Sequence, residues 1–234
     1  MFLPHLLLKN QSSFWEDAQA KTLRWKDLLP LVAFIVLACA IYGAILAGWR
    51  SPLLSLFVAI KLPLLFLATT AIVSVFNWMF ALGLGSELSF KQTLFLACSA
   101  MTITSWILLA LAPVALFFLF SGVNSTGSDA ELHYAHNCIL MTHILIIATA
   151  GIAGNAALLK GMRQLVAKKC PANLLFISWL GAFAFVGAQM SWILRPFVGS
   201  PFFPVAFMRS NCLERNFYEF VFTEILPYLA TGGS

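Results

Sequence analysis

Five stretches of apolar residues, each long enough to cross a bilayer, lie between Leu31 and Leu194, and the charged residues collect between them. A crossing needs roughly 20 apolar residues, so the pattern predicts an all-α polytopic transmembrane helical bundle of five spans. The first span runs from Leu31 to about Trp49 and ends on a Trp-Arg pair suited to an interface. From Ser51 to Gly85 the apolar run is too long for one span, and Lys61 and Pro63 divide it. This places a short interfacial helix ahead of Lys61 and the second span from Leu62 to Ala81, with Pro63 in its first turn and the Lys61 ammonium snorkelling to the surface. The third run, Thr93 to Phe120, also exceeds the bilayer, with Pro113 near its end. Either one tilted span continues into the headgroups, or a re-entrant or sixth piece follows Pro113. The fourth and fifth spans cover about Ile139 to Leu159 and Leu174 to Leu194.

The flanks read differently. In residues 1–30, Phe14, Trp15, Ala18, Leu23 and Trp25 alternate with Lys21, Arg24 and Lys26. That alternation predicts an amphipathic helix lying on headgroups, and Ser13 with Glu16 fits a capping box. The opening string MFLPHLLLKN lacks a basic region ahead of its apolar residues and is expected not to be a cleaved signal peptide. Residues 195–230 form a tail dense in Phe and Pro that carries Arg195, Arg209 and Arg215, a composition suited to a membrane interface or a protein contact. Asn211 and Glu214 predict a cap there, and with it a short helix from Cys212 to about Leu226. Residues 231–234 read as a flexible linker scar.

Composition closes off the soluble classes: 61% of residues are hydrophobic, 10% are charged and the mean hydropathy is +0.89, whereas about a quarter of a soluble domain is charged. The net charge is +5, and the basic residues are scattered singly or in small groups at the edges of apolar runs, which indicates membrane orientation and not nucleic-acid binding. Lys9, Lys21, Arg24, Lys26, Lys91, Lys160, Arg163, Lys168 and Lys169 fall on the side of the N-terminus, against Arg50, Lys61, Arg195, Arg209 and Arg215 on the other. The bias predicts a cytoplasmic N-terminus and an external C-terminus. The cysteines Cys39, Cys98, Cys138, Cys170 and Cys212 have no metal-type spacing, and only Cys138 with Cys212 is a conceivable bridge.

The acidic residues Glu16, Asp17, Asp27, Glu87, Asp129, Glu131, Glu214, Glu219 and Glu224 all fall in expected loops or termini. Ionisable groups at membrane depth mark proton relays, ion-coupled transport and catalysis, so none of these is indicated and no cofactor is implied. His133, His136 and His143 lack a partner motif for a metal, and His136 and His143 stand two helical turns apart. Helical spacing does bring out polar stripes: Thr70, Ser74 and Asn77 in the second span, and Cys98, Thr102 and Ser105 with Ser99 beside them in the third. These residues either line water or bond across packed helices, and Gln189 in the fifth span is a further polar interior candidate. Ala150 with Gly154, Ala153 with Ala157, and Ala184 with Ala188 are small-residue pairs that let helices approach, inside one chain or between copies. Arg195, followed by the helix breaker Pro196, either clamps the tail through Glu219 or Glu224 or reaches a lipid phosphate.

The strings KLPLLFLATTAIVSVFN, followed by Gln92, and GAQMSWILRPFVGSPFFPVAFMR, followed by NFYE, resemble blocks shared by a family of bacterial polytopic membrane proteins without an assigned activity. Span number and hydropathy alone give a looser likeness to Yip-type multi-span proteins. The resemblance implies a multi-pass protein of the bacterial inner membrane and transfers no site residue.

Two functions fit these readings. One is a homo-oligomer that forms an ion-conducting channel or a membrane-permeabilising effector, with ligand-gated permeabilisation in bacterial antiviral defence as one setting. The other is a non-conducting scaffold or accessory subunit that docks a partner protein through its aromatic tail. Membrane lipid is the expected surrounding in both.

Overall fold

The computed structural model describes residues 3–9, 11–20, 23–120, 128–166, 170–200, 202–209 and 212–227. Among them the chain is all-helical: α1 (Leu6–Lys9), α2 (Gln11–Ala20), α3 (Trp25–Ala47), α4 (Pro52–Gly83), α5 (Phe90–Phe120), α6 (Asp129–Leu165), α7 (Ala172–Leu194) and α8 (Phe217–Phe220), which continues into a π-helical turn over Val221–Ile225. Helices α3 to α7 are long and apolar enough to cross a membrane, and the chain is an integral membrane protein with five spans. Successive spans run in opposite directions, so one end of the bundle holds the N-terminal helices and the other the C-terminal tail.

Local sequence starts several of these helices. Ser51 caps α4 by accepting from the Leu54 amide at 3.1 Å, with Pro52 in the first position. The string Ser89-Phe-Lys-Gln92 opens α5 with a reciprocal box: the Ser89 hydroxyl accepts from the Gln92 amide at 3.3 Å and the Gln92 side chain accepts from the Ser89 amide at 2.9 Å. Ser128 and Glu131 do the same for α6, with the Glu131 carboxylate accepting from the Ser128 amide at 2.8 Å.

The structure departs from the sequence reading at several points. Helix α4 is continuous from Pro52 to Gly83, with Lys61 and Pro63 both buried inside it. Lys61 does not snorkel: its ammonium donates to the Pro196 carbonyl at 3.0 Å and lies 5.0 Å from the centre of the Phe207 ring. Helix α5 is likewise unbroken through Pro113, so among the described residues no re-entrant or sixth piece follows it. Ser13 lies within α2 and caps nothing. The α2 face of Phe14, Trp15 and Ala18 is buried by the protein itself, packed on α5 and α6, and α1 reaches along α5 until the Pro4 carbonyl accepts from the Trp106 indole at 3.3 Å. In the tail the expected helix is shorter and starts later: Asn216 caps it by accepting from the Glu219 amide at 2.7 Å, and Asn211 lies outside the described residues, as do residues 231–234 and Lys21, Lys168 and Lys169.

Two apolar clusters hold the bundle, one near each end. The N-terminal cluster gathers Leu7, Phe14, Trp15, Phe95, Leu96, Leu158, Met162 and Trp179; the tail-end cluster gathers Ile35, Leu46, Leu54, Val58, Leu108 and Ile146, with Phe197, Val198 and Val205 of the tail against it. Gly154 allows α6 to lie against α5, because a Cβ there would overlap the Thr104 hydroxyl and stand 3.0 Å from the Ala100 carbonyl.

Candidate functional site

The α4–α5 hairpin turns at Leu84–Ser89, so Asn77, Ser74 and Thr70 climb away from the turn on one arm while Thr93, Ser99, Thr102 and Ser105 climb on the other. All seven are buried, and Ser74, Asn77, Thr93, Ser99, Thr102 and Ser105 are 0% exposed. The two polar stripes are therefore enclosed within a single chain, and neither faces lipid. A third helix extends the row: the Ser105 hydroxyl meets the Cys39 thiol of α3 at 3.5 Å, and one turn further along α3 the buried Tyr42 hydroxyl meets His143 Nδ1 of α6 at 2.8 Å.

The groups of this seam are satisfied unevenly. Ser74 donates to the Thr70 carbonyl at 2.6 Å, Thr102 to the Cys98 carbonyl at 2.8 Å and Ser105 to the Met101 carbonyl at 2.8 Å. Each hydroxyl thus returns its proton to its own helix. Among the described residues the side chains of Thr70, Asn77, Thr93 and Ser99 have no hydrogen-bond partner. At membrane depth an unpartnered polar group costs about 1–3 kcal/mol, which a second hydroxyl or water can recover. Asn77 is fixed by its backbone instead, its carbonyl accepting from the Trp179 indole at 3.0 Å.

Other sequence candidates fall elsewhere. Cys98 belongs to the N-terminal apolar cluster. Gln189 is no interior seam residue: its side-chain oxygen accepts from the Phe217 amide at 3.0 Å and ties α7 to the tail. Ala150 is buried and Gly154 sits against α5, whereas Ala184 is exposed and Ala188 half-exposed on α7. Arg195 pairs with neither acidic residue; its guanidinium lies 3.4 Å from the centre of the Trp192 ring, while Glu224 pairs with Arg215 and the Glu219 side chain is exposed. The three histidines have separate aromatic partners, with His133 stacked on Phe202 at 4.4 Å, His136 beside Trp49 at 5.6 Å and His143 on Tyr42. All five cysteines are free thiols.

Lys61 and the Tyr42–His143 pair escaped the sequence reading as site residues. The pair left one signal: Tyr42 and His143 are the bulkiest polar side chains of their apolar spans, and polar groups at that depth need partners on other helices. No family model, curated protein or solved structure compared with the chain matches it.

Proposed function

We propose that the chain is a membrane conduit whose polar lining is the seam between α3, α4 and α5, with the described conformation as its closed state. The observation that carries this reading is the set of unpartnered buried side chains, Thr70 and Asn77 on one helix and Thr93 and Ser99 on its neighbour. Ordinary helix packing pairs such groups across the interface. Here they stay unpaired, so a parting of α4 from α5 that admits water gains hydrogen bonds while losing packing. Because each protomer encloses its own seam, oligomerisation is assigned a regulatory or assembly role, through the exposed α7 face around Ala184 and not through a shared central pore. The Lys and Arg bias supports an N-terminus in the cytoplasm of a bacterial inner membrane as part of this reading, and gated permeabilisation is the setting that a conduit without intramembrane carboxylates suits.

Purified protein reconstituted in liposomes should pass monovalent ions, and Asn77→Leu should lower that flux at least about tenfold without lowering thermal stability, since the leucine removes a desolvated amide. Liposomes that stay impermeable at every potential tested, or equal flux through Asn77→Leu, overturn the conduit. The scaffold reading then stands, favoured by the exposed tail side chains Phe203, Leu213 and Phe222, which are 59%, 78% and 67% exposed.

A further inference from the structure

A cavity of about 670 Å³ opens at the tail end of the bundle, between the start of α4 and the folded-back tail. Its wall combines Arg50, Arg209 and Glu214 with apolar Phe203, Pro204 and Met208, over a floor of Leu54 and Pro196. Directly behind Pro196 lie two further cations. Arg195 has its Nε buried without a partner, and Lys61 is spent on the Pro196 carbonyl. Among the described residues none of Arg195, Arg209 and Lys61 has a carboxylate partner.

We infer that this cavity binds the phosphodiester headgroup of an anionic phospholipid, with Arg209 and Arg50 on the phosphate and the Phe-Pro-Met wall on the first methylenes of an acyl chain. Three features select that class. First, Arg209 and Arg50 line the cavity itself with Arg195 next to Pro196 of its floor, and burial together with the like charge of Arg209 holds the Arg195 guanidinium below its ordinary range, against a smaller opposite effect of Cys212. Guanidinium forks match phosphate oxygens in geometry. Second, Glu214 on the same wall offsets one cation, which suits a singly charged phosphodiester better than a doubly charged phosphate. Third, the floor lies where α4 begins and just beyond the last residue of α7, the level at which spans leave the hydrocarbon and lipid phosphates sit; the volume and its apolar wall exceed what inorganic phosphate would occupy.

The test uses the full chain in mild detergent, with native mass spectrometry counting retained lipid after addition of phosphatidylglycerol, phosphatidylcholine or inorganic phosphate. Phosphatidylglycerol should be retained over phosphatidylcholine, whose fixed cation meets the arginines. Arg209→Gln and Arg50→Gln should each lower its retention about tenfold, the loss expected for one charge-assisted contact, while Arg163→Gln at the opposite end should leave it unchanged. Arg209 is exposed, so its replacement leaves folding intact, and an unchanged melting temperature verifies that. Retention unaffected by both arginine variants overturns the site. Displacement of phosphatidylglycerol by equimolar inorganic phosphate overturns its lipid character, and binding of neither probe overturns the proposal outright.

Discussion

At the N-terminal end of the bundle, rings are buried against rings, and at the tail end cations are buried under rings and carbonyls. Trp15 is 0% exposed, edge-on to Phe95 with centroids 6.3 Å apart, and Phe14 stacks on the same ring at 5.5 Å. Gly161 of α6 gives the Trp15 indole its room, since a Cβ there would stand 2.7 Å from it. The tail packs only its partly buried Phe197, Val198 and Val205 on the apolar cluster and is held besides by directional single contacts: Lys61 on the Pro196 carbonyl, the Trp49 indole on the Val198 carbonyl at 2.8 Å, Arg50 on the Ser200 carbonyl at 3.3 Å and the Trp192 indole on the Arg215 carbonyl at 2.8 Å. Apolar burial sums over area, whereas each net hydrogen bond contributes about 1 kcal/mol. The difference makes the N-terminal end the structural anchor and the tail the part that opens first.

The largest test of that contrast is Trp15→Ala. Emptying a fully buried indole site should cost about 3–5 kcal/mol and lower the apparent melting temperature in detergent more than any single tail substitution. If Trp15→Ala melts with the wild type, the N-terminal helices are not part of the core and the contrast fails.

The span count was legible because long apolar runs have few alternative fates in a chain of this composition. Lys61 was misread for a physical reason: a lysine in an apolar run has a local solution, snorkelling, and the structure uses a distant one, a carbonyl and a ring supplied more than a hundred residues later. Amphipathic spacing in residues 1–30 has the same ambiguity, since a face suited to headgroups suits a groove between α5 and α6 equally well. The boxes at Ser89-Gln92 and Ser128-Glu131 are written in their own letters and local rules suffice for them, yet the same rule fails at Ser13, which lies past the start of α2. For the candidate site, spacing identified which hydroxyls share a face, but the pairing of Tyr42 with His143 and the lack of partners at Asn77 depend on how three helices meet.

A second test exchanges Lys61, the fully buried α4 cation that holds the tail, for an apolar side chain of similar length. Lys61→Met should cost about 1–3 kcal/mol at the tail by leaving the Pro196 carbonyl unpaired, and limited proteolysis between residues 202 and 216 should quicken while cleavage in α2 stays unchanged. Faster cleavage at both ends would mean that the two clusters unfold as one unit. Gln189→Ala should act in the same direction and less strongly, by about 1 kcal/mol, through the lost contact with the Phe217 amide.

Arg195→Ala should have the smallest effect, and it separates two accounts of the same residue. As a tail clamp, Arg195 works through the face of Trp192, and a partly exposed contact of that kind contributes about 0.5–1 kcal/mol. Protease cleavage of the tail should then quicken slightly at every salt concentration, because a stacked guanidinium is screened little by ions. If Arg195 acts mainly by repelling Arg209, its removal relieves like-charge crowding, and the tail becomes more resistant at low salt, with the difference vanishing at high salt. The buried Nε and the absence of a carboxylate partner favour the first outcome only while Trp192 holds the ring in place, so Trp192→Leu should reproduce the effect of Arg195→Ala, and the double variant should add nothing further.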